Sequence, residues 1–580
     1  MKKSKRAAET TGKGGAGAGA AFEIRPWHYA LALAAALVAV LEAYGPALRG
    51  QFVFDDAYLP MAVQDFSNAP LRLWVGGVRP LLMFSFWVNY RLYDLDPLSY
   101  HLFNVLCHFA TSVLVFLVAR RVLTWAGTGG FPRAALAAFA GGVFLLHPVQ
   151  TESVAYVASR SEVLSGLFFC AAWVVFLYRR SDALSWPAAA AVLILFGAAV
   201  SSKEHAAVLP LLLLATDYYW NPGFSLQGIR RNWRLYALLA AGVALALRVI
   251  LGVLRGADTA GFALKDLTWV QYFFTQCRVI WVYIRLFFLP YGQTVDYDFA
   301  VSHNLLEHGA VLGLIGLAAL AAAAVYFRRR YPLASYGYFV FLILLAPTSS
   351  VLPIIDPIAE RRMYLPILGL LLMALEFLRR WKVRRGTLAV TLAGCVLLMG
   401  ALTRLRSQVW SNATALWEDA AAKSPRKQRV QEQLGFAYYA EGRCQLALER
   451  YQAAARVARP DYRLLVEWAG ACDCLNRLDE ALAKLRQAAA LSNTAHVNSE
   501  IGRVYVKQGK RAEALAALNA AVRLNPRFEA TYVYRGVLYA NSNEWEAAAA
   551  EYRRALSLDP SDQQARSGLA EAERRLKGSR

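Results

Sequence analysis

The sequence predicts an all-α protein: a polytopic bundle of membrane helices over residues 27–405, followed by a helical solenoid over residues 406–580. Three observations predict it. Long apolar runs recur through the first region, and 57% of the 580 residues are hydrophobic against 18% charged, where a soluble domain carries about 25% charge. Arginine clusters punctuate those runs: Arg120-Arg121, Arg179-Arg180, Arg230-Arg231, Arg328-Arg329-Arg330 and Arg379-Arg380. The last 175 residues or so repeat with a period of 33–34. This combination excludes a simple soluble enzyme, a secreted disulfide scaffold and a disordered chain.

The elements follow in order. Residues 1–26 are rich in Lys, Gly and Ala and form no core; they read as a basic cytoplasmic tail. No small-residue cleavage site follows the next apolar stretch, so the span at 27–48 is a retained signal anchor. Further candidate spans lie near 101–119, 133–149, 161–178, 187–200, 206–220, 235–254, 269–290, 309–327, 333–346, 363–378 and 386–403. These make twelve with the first. The Arg-rich segment at 379–385 belongs on the cytoplasmic side by the positive-inside rule, so the final span leads outward. One candidate within 187–290 is therefore read as re-entrant or interfacial, leaving about 11 crossings. The loop at 49–100 is unusually long and lies opposite the basic tail, where outer-face chemistry could be hosted.

The formal net charge of +22 could suggest nucleic acid. Most of the excess flanks apolar segments, which is membrane topology, so no nucleic-acid partner is expected. Cysteines 107, 170, 277 and 395 sit in apolar segments, where they read as small buried hydrophobes. Cys444 could pair with Cys472 or Cys474 in an oxidising compartment.

Residues 406–580 carry the repeat. Gly435 to Ala469 spans 34 residues, Ala469 to Gly502 spans 33, and Gly502 to Gly536 and Pro526 to Pro560 span 34 each. Each unit places a small residue where helices cross, then Tyr, then Ala, then a closing Pro. That is the tetratricopeptide pattern of two antiparallel helices per unit. About four repeats are expected, with a partial one around Trp410–Lys423. Such arrays present a concave surface that binds a protein or peptide.

Several polar constellations break the apolar background. Asp55-Asp56, in FVFDDAYLP, follows the first span. Adjacent carboxylates raise each other's pKa and can act as a base or hold a metal; the bland alternative is a helix cap. The segment HPVQTESVAYVASRSE runs from His147 to Glu162. Pro148 breaks a helix there, and Glu152 and Arg160 are placed near the membrane surface that holds Asp55. Lys203-Glu204 lies between two apolar segments, either as an ion pair or as a lysine awaiting a phosphate. Glu360-Arg361-Arg362, with Tyr364, follows a Pro-rich polar stretch, and Arg matches the bidentate geometry of a phosphate. Arg79, His101, Asn104 and His108 gather around the second span; Asn104 and His108 read as packing groups, and Arg79 as a cation that could keep Asp55 ionised. The chain has no Gly-rich phosphate loop, HExxH segment or serine elbow. A donor held in the membrane would require none.

FVFDDAYLP, RPLLMFSFWVNYRLYDLDPLSYHLFNVLCH, LLHPVQTESVAYVASRSEVLSGLFF, SSKEHA and AERRMYLPILG, in that order ahead of the repeats, resemble the transmembrane and tetratricopeptide-repeat O-mannosyltransferases and their prokaryotic relatives. These belong to the wider GT-C fold of lipid-sugar glycosyltransferases. The resemblance covers nearly the whole chain after residue 45. It implies a polyprenyl-phosphate sugar donor, mannose or similar, and inverting transfer onto an acceptor, often Ser or Thr hydroxyls. It implies an acidic pair in the first outer loop, matched by Asp55 and Asp56, and a second acidic motif matched by Glu152. The substrate- and lipid-phosphate-binding candidates are Arg79, His101, His147, Arg160, Glu162, Lys203, Glu204, Glu360, Arg361 and Tyr364. No cofactor is expected, although Asp55, Asp56 and Glu152 have the oxygen ligands a divalent cation takes. The expected location is a bacterial inner membrane with periplasmic repeats, or an ER membrane with lumenal repeats in a eukaryote. The rival readings are a non-enzymatic repeat scaffold on a membrane anchor and a lipid-linked oligosaccharide ligase or polymerase. About eleven spans exceed what an anchor needs, and the Asp-Asp pair disfavours the ligase.

Overall fold

The structure, a computed structural model, describes residues 26–179, 182–254, 260–265 and 267–578. The expected basic tail lies outside the described residues except for Pro26. Among the described residues the protein is helical throughout, with one isolated bridge between Ala260 and Ile354.

Every expected span coincides with a helix. These are α1 (Pro26–Tyr44), then, after a loop helix α2 (Pro80–Tyr93), α3 (Pro97–Trp125), α4 (Gly130–Leu146), α5 (Arg160–Leu177), α6 (Trp186–Ser202), α7 (Leu209–Trp220), α8 (Trp233–Leu254), α9 (Trp269–Phe288), α10 (Ala310–Tyr326), α11 (Pro332–Leu345), α12 (Ile367–Leu378) and α13 (Arg385–Val409). Local signals set their ends. Asp96 caps α3 through Leu98 N at 3.2 Å, with Pro97 in the first turn. Thr268 and Gln271 form a capping box on α9. Pro148 ends α4, and the short helix after it turns by 45°.

Five helical segments among the described residues are long and apolar enough to cross a membrane, namely Pro26–Ala47, Pro97–Trp125, Val157–Leu177, Glu307–Tyr326 and Arg385–Val409, and a sixth if the bent pair Gly130–Leu146 and Pro148–Ala155 counts as one. Trp186–Ser202, Trp233–Leu247, Pro332–Leu345 and Ile367–Leu378 are apolar but shorter. The expected eleven crossings are not reached by length and composition. The reason is local: α6, α7, α11 and α12 have only 17, 12, 14 and 12 residues, and α9 carries Gln276, Arg278 and Arg285.

The bundle packs tightly where side chains vanish. A Cβ on Gly337 or on Gly369 would lie 2.5 Å from the other's carbonyl oxygen, so α11 and α12 approach through glycine. The 49–100 loop has its own small core of Met61, Trp74, Leu82, Phe86, Tyr100 and Val157.

The last membrane helix runs past the expected boundary at 405 to Val409, and the repeat region opens with α14 (Ala413–Lys423). Four helix pairs follow: α15 (Gln428–Ala440) with α16 (Cys444–Val457), α17 (Tyr462–Cys474) with α18 (Leu478–Leu491), α19 (Ala495–Lys507) with α20 (Arg511–Leu524), and α21 (Glu529–Asn541) with α22 (Trp545–Leu558). The helix α23 (Gln563–Gly578) ends the array. The periodic glycines meet the paired helix: a Cβ on Gly435 would lie 2.7 Å from the Tyr451 ring, and one on Gly536 would lie 2.6 Å from the Tyr552 ring. Cys444 is bonded to Cys474 across the first two pairs, with Cα atoms 6.1 Å apart, and Cys472 is buried and free.

Candidate active site

The turn after the first span is built to present one carboxylate and bury the other. Asp56 is fully buried; its Oδ2 accepts from Val53 N at 3.0 Å and its Oδ1 from Ala158 N at 2.7 Å. Burial pushes its pKa up to about 7 against the pull of those two N–H groups. Asp56 therefore ties the first loop to the segment after α4. Asp55 is exposed, and its backbone N–H donates to the Tyr156 hydroxyl at 2.9 Å. Immediately before it, Phe54 holds φ at +54°, a conformation costly for a bulky side chain and persistent only where neighbours over-determine it. The neighbours are visible. Phe54 stacks on Tyr156 at 6.2 Å, meets Trp417 edge-on at 5.4 Å, and lies 5.5 Å from the Arg429 guanidinium.

Beside this turn, Glu152 and Arg361 form an ion pair. Glu152 is buried, its Oε1 takes the Arg361 guanidinium, and its Oε2 accepts from Arg361 N at 3.0 Å. The Arg361 side chain remains 26% exposed, so part of it stays accessible. Burial works against its charge, and Glu152, Tyr156 and Glu162 more than offset it. The same field reaches Tyr156, which feels Asp55, Asp56 and Arg361. Next to it, Lys203 pairs with Glu162, with His205 Nε2 3.7 Å from the same carboxylate. Arg79 grips Glu204 through two bonds of 2.9 and 2.6 Å. Arg79 is thus engaged by Glu204 rather than by Asp55, which corrects the role expected for it.

Four expected ligand residues are instead structural. Arg160 is fully buried. It donates to Asn104 Oδ1 at 3.0 Å, Ser85 O at 3.3 Å and Tyr100 O at 3.1 Å, between Phe86 and Phe103 at 4.3 and 4.4 Å. Its guanidinium is enclosed and 0% exposed, so no phosphate reaches it. His147 contacts Phe287 O at 2.9 Å through Nε2 and accepts from Val149 N at 3.2 Å through Nδ1, so its ring is neutral and bridges α4 to α9. His101 contacts Gly50 O at 3.2 Å and Tyr364 bonds His108 Nδ1 at 3.0 Å, both buried. The packing roles read for Asn104 and His108 hold.

Glu360 also has a different task. It is buried and accepts from Gln293 Nε2 at 2.6 Å, Thr294 N at 2.8 Å and the Tyr297 hydroxyl at 2.7 Å, with burial raising its pKa. It thereby shapes the segment on which the repeats dock. Lys423 Nζ reaches Gln293 O at 2.7 Å, Ser424 Oγ accepts from Asp298 N at 3.1 Å, and Arg429 bridges Asp296 at 2.6 Å and Asp356 at 2.9 Å. Sequence reasoning missed Phe54, Tyr156, Trp417 and Arg429. Only the positions of Phe54 and Tyr156 inside the two motifs could have flagged them.

Arg429→Gln removes the bridge and leaves the buried Asp296 short of one cation, a loss of about 1.5–3 kcal/mol. Hydrogen exchange in residues 52–60 and 293–298 should then quicken about tenfold or more. Unchanged exchange in both segments would show that Arg429 does not hold the dock. Among the described residues, no three His, Cys, Asp or Glu side chains are placed to hold a metal ion.

Fold and site together define a class: a polytopic membrane protein in which a carboxylate–arginine site lies under a tetratricopeptide array. A tetratricopeptide-repeat family profile matches residues 500–562 and 535–577. A Caenorhabditis elegans protein named as a protein O-mannosyl-transferase is 24% identical over 418 residues, 68% of this chain and 58% of the relative. Human protein O-mannosyl-transferase TMTC3 is 24% identical over 557 residues, 83% of this chain and 57% of its own length. Drosophila melanogaster Tmtc1 is 34% identical over 199 residues, 31% of this chain and 22% of the relative. The chain is similar over 68–83% of its length to proteins named as O-mannosyl-transferases, and it spans about 57–58% of the length of those two relatives. Among solved structures, the tetratricopeptide protein YrrB aligns at TM-score 0.23 and 19% identity over 30% of this chain and 87% of its own. A Thermus thermophilus tetratricopeptide protein aligns at TM-score 0.26 and 23% identity over 30% and 94%.

Proposed function

We propose that the protein is an integral-membrane glycosyltransferase that moves a sugar, mannose or similar, from a polyprenyl-phosphate donor to a Ser or Thr hydroxyl of a polypeptide. The observation that carries this reading is the exposed Asp55, fixed by a strained Phe54, beside the Glu152–Arg361 pair. The acceptor oxygen attacks the anomeric carbon, its proton passes to the Asp55 carboxylate, and the bond from that carbon to the phosphate oxygen breaks. The leaving polyprenyl phosphate keeps the electron pair and its charge is met by Arg361, with Lys203 close by. Attack from the face opposite the phosphate inverts the anomeric centre. The repeats, docked through Lys423 and Arg429, hold the acceptor next to the Asp55 turn.

The test is transfer of labelled sugar from polyprenyl-phosphate mannose to a Ser/Thr peptide by the full chain in vesicles. Product with inverted configuration is expected. No transfer from any polyprenyl-phosphate sugar would remove the reading.

The reading places the repeats outside the cytoplasm, in a periplasm or a lumen. The Cys444–Cys474 disulfide supports an oxidising side. Asp562 caps the last helix through Ala565 N at 2.5 Å, so a reporter cysteine belongs at the exposed Gln564. With the protein in a bacterial inner membrane, Gln564→Cys in intact cells should react with a maleimide that enters the periplasm and does not cross the inner membrane. Reaction only after lysis would reverse the orientation.

A further inference from the structure

The end of α6 away from Lys203 carries a second basic constellation that transfer chemistry does not use. A pocket of about 400 Å³ is lined there by Leu184, Trp186, Arg230, Arg231, Trp233 and Arg234, among others. The helix has 17 residues, which sets the pocket roughly 25 Å from the Lys203–Glu162 pair.

Its arginines are unequal. Arg231 pairs with Asp182. Arg230 and Arg234 meet no carboxylate among the described residues; the Arg234 guanidinium lies 5.6 Å from the Trp186 ring and 5.7 Å from the Trp233 ring. The nearby acid on α7, Asp217, is buried and engaged by Arg179 at 2.7 Å, Asn232 at 2.8 Å and Tyr236 at 2.6 Å. Asn232 also accepts from Leu184 N at 2.8 Å, so the pocket wall is fixed. Trp186 and Trp233, 63% and 61% exposed, begin two apolar helices, as tryptophans do at a bilayer boundary.

We propose that this pocket binds the phosphate headgroup of an anionic phospholipid. Cations left without acids, at the depth marked by two tryptophans, match a charged headgroup, and basic pockets between membrane helices take such groups. A lipid rather than a free phosphate fits because Leu235, Leu238 and Ala189 continue the pocket wall along the helices toward acyl chains.

Purified full-length protein in detergent is titrated with phosphatidylglycerol, phosphatidylcholine or inorganic phosphate. Retained lipid is read by native mass spectrometry and stability by the thermal midpoint. Phosphatidylglycerol should bind the wild type and raise its midpoint. The double variant Arg230→Gln/Arg234→Gln should bind it roughly tenfold or more weakly. The control Arg384→Gln/Arg385→Gln, at exposed arginines elsewhere, should bind as the wild type does. Equal binding by the pocket variant, an equal effect of phosphatidylcholine, or equal stabilisation by inorganic phosphate would each overturn the proposal.

Discussion

Replacing Asp55 by asparagine lowers sugar transfer about 10²–10⁴-fold, the usual contribution of general base assistance, and leaves folding and donor binding in place. The substitution is nearly isosteric. The turn is held mainly by Phe54 against Tyr156 and Trp417, and by Asp56 on Val53 N and Ala158 N. Asp55 reaches Tyr156 through its backbone N–H and through its side chain, which accepts from the hydroxyl; asparagine retains the N–H and an acceptor oxygen. The exposed amide cannot take the acceptor proton. Asp56→Asn behaves differently. The new amide nitrogen turns a donor toward one of two backbone donors inside a buried site, at a cost of about 1–3 kcal/mol, so thermal stability falls and transfer falls with it. Transfer of labelled sugar, measured beside circular dichroism and thermal melts, separates the two. If Asp55→Asn transfers at the wild-type rate, Asp55 is a cap and the base is another group such as Glu152.

Removing Arg361 has two effects that can be separated. Arg361→Ala deletes a charge-assisted contact to the donor phosphate worth roughly 1.5–3 kcal/mol, about ten- to a hundredfold in donor affinity. It also strands the buried Glu152, and an uncompensated charge of that kind costs about 3–5 kcal/mol of stability. The single variant should therefore melt early as well as bind poorly. Neutralising the stranded acid in Glu152→Gln/Arg361→Ala should restore most of the stability and none of the affinity. Donor binding to purified protein, compared with the melting midpoint, reads both. Recovery of affinity in the double variant would make Arg361 a structural counter-ion and move the phosphate to Lys203.

Much of the candidate site was legible before the structure because its residues stand in short segments beside apolar spans. Glu152 and Arg361, Lys203 and Glu162, and Arg79 and Glu204 were singled out as charges at helix ends, and a charge near an apolar core has to find a partner. The partners were not legible. Glu152 and Arg361 are 209 residues apart and Arg79 and Glu204 are 125 apart, and no periodicity encodes which helix ends meet.

The sequence alone determined the helical class, the position of each apolar helix, the repeat period and a partial unit around Trp410–Lys423, whose helix spans Ala413–Lys423. All of these follow from local rules: hydrophobic runs, proline breaks, and small residues where paired helices cross. Only the tertiary structure decided which cations are available. Arg160 and Arg361 look alike in sequence, yet one is enclosed by carbonyls and phenyl rings and the other stays partly accessible. Asp55 and Asp56 are neighbours, yet one is exposed and the other buried. Cys472 and Cys474 were equal candidates for Cys444 until the crossing of α16 and α17 brought Cys474 to it. In each case the deciding quantity is the set of groups that folding brings within about 3–4 Å of a side chain. Distant parts of the chain supply that set, so only the assembled bundle fixes it.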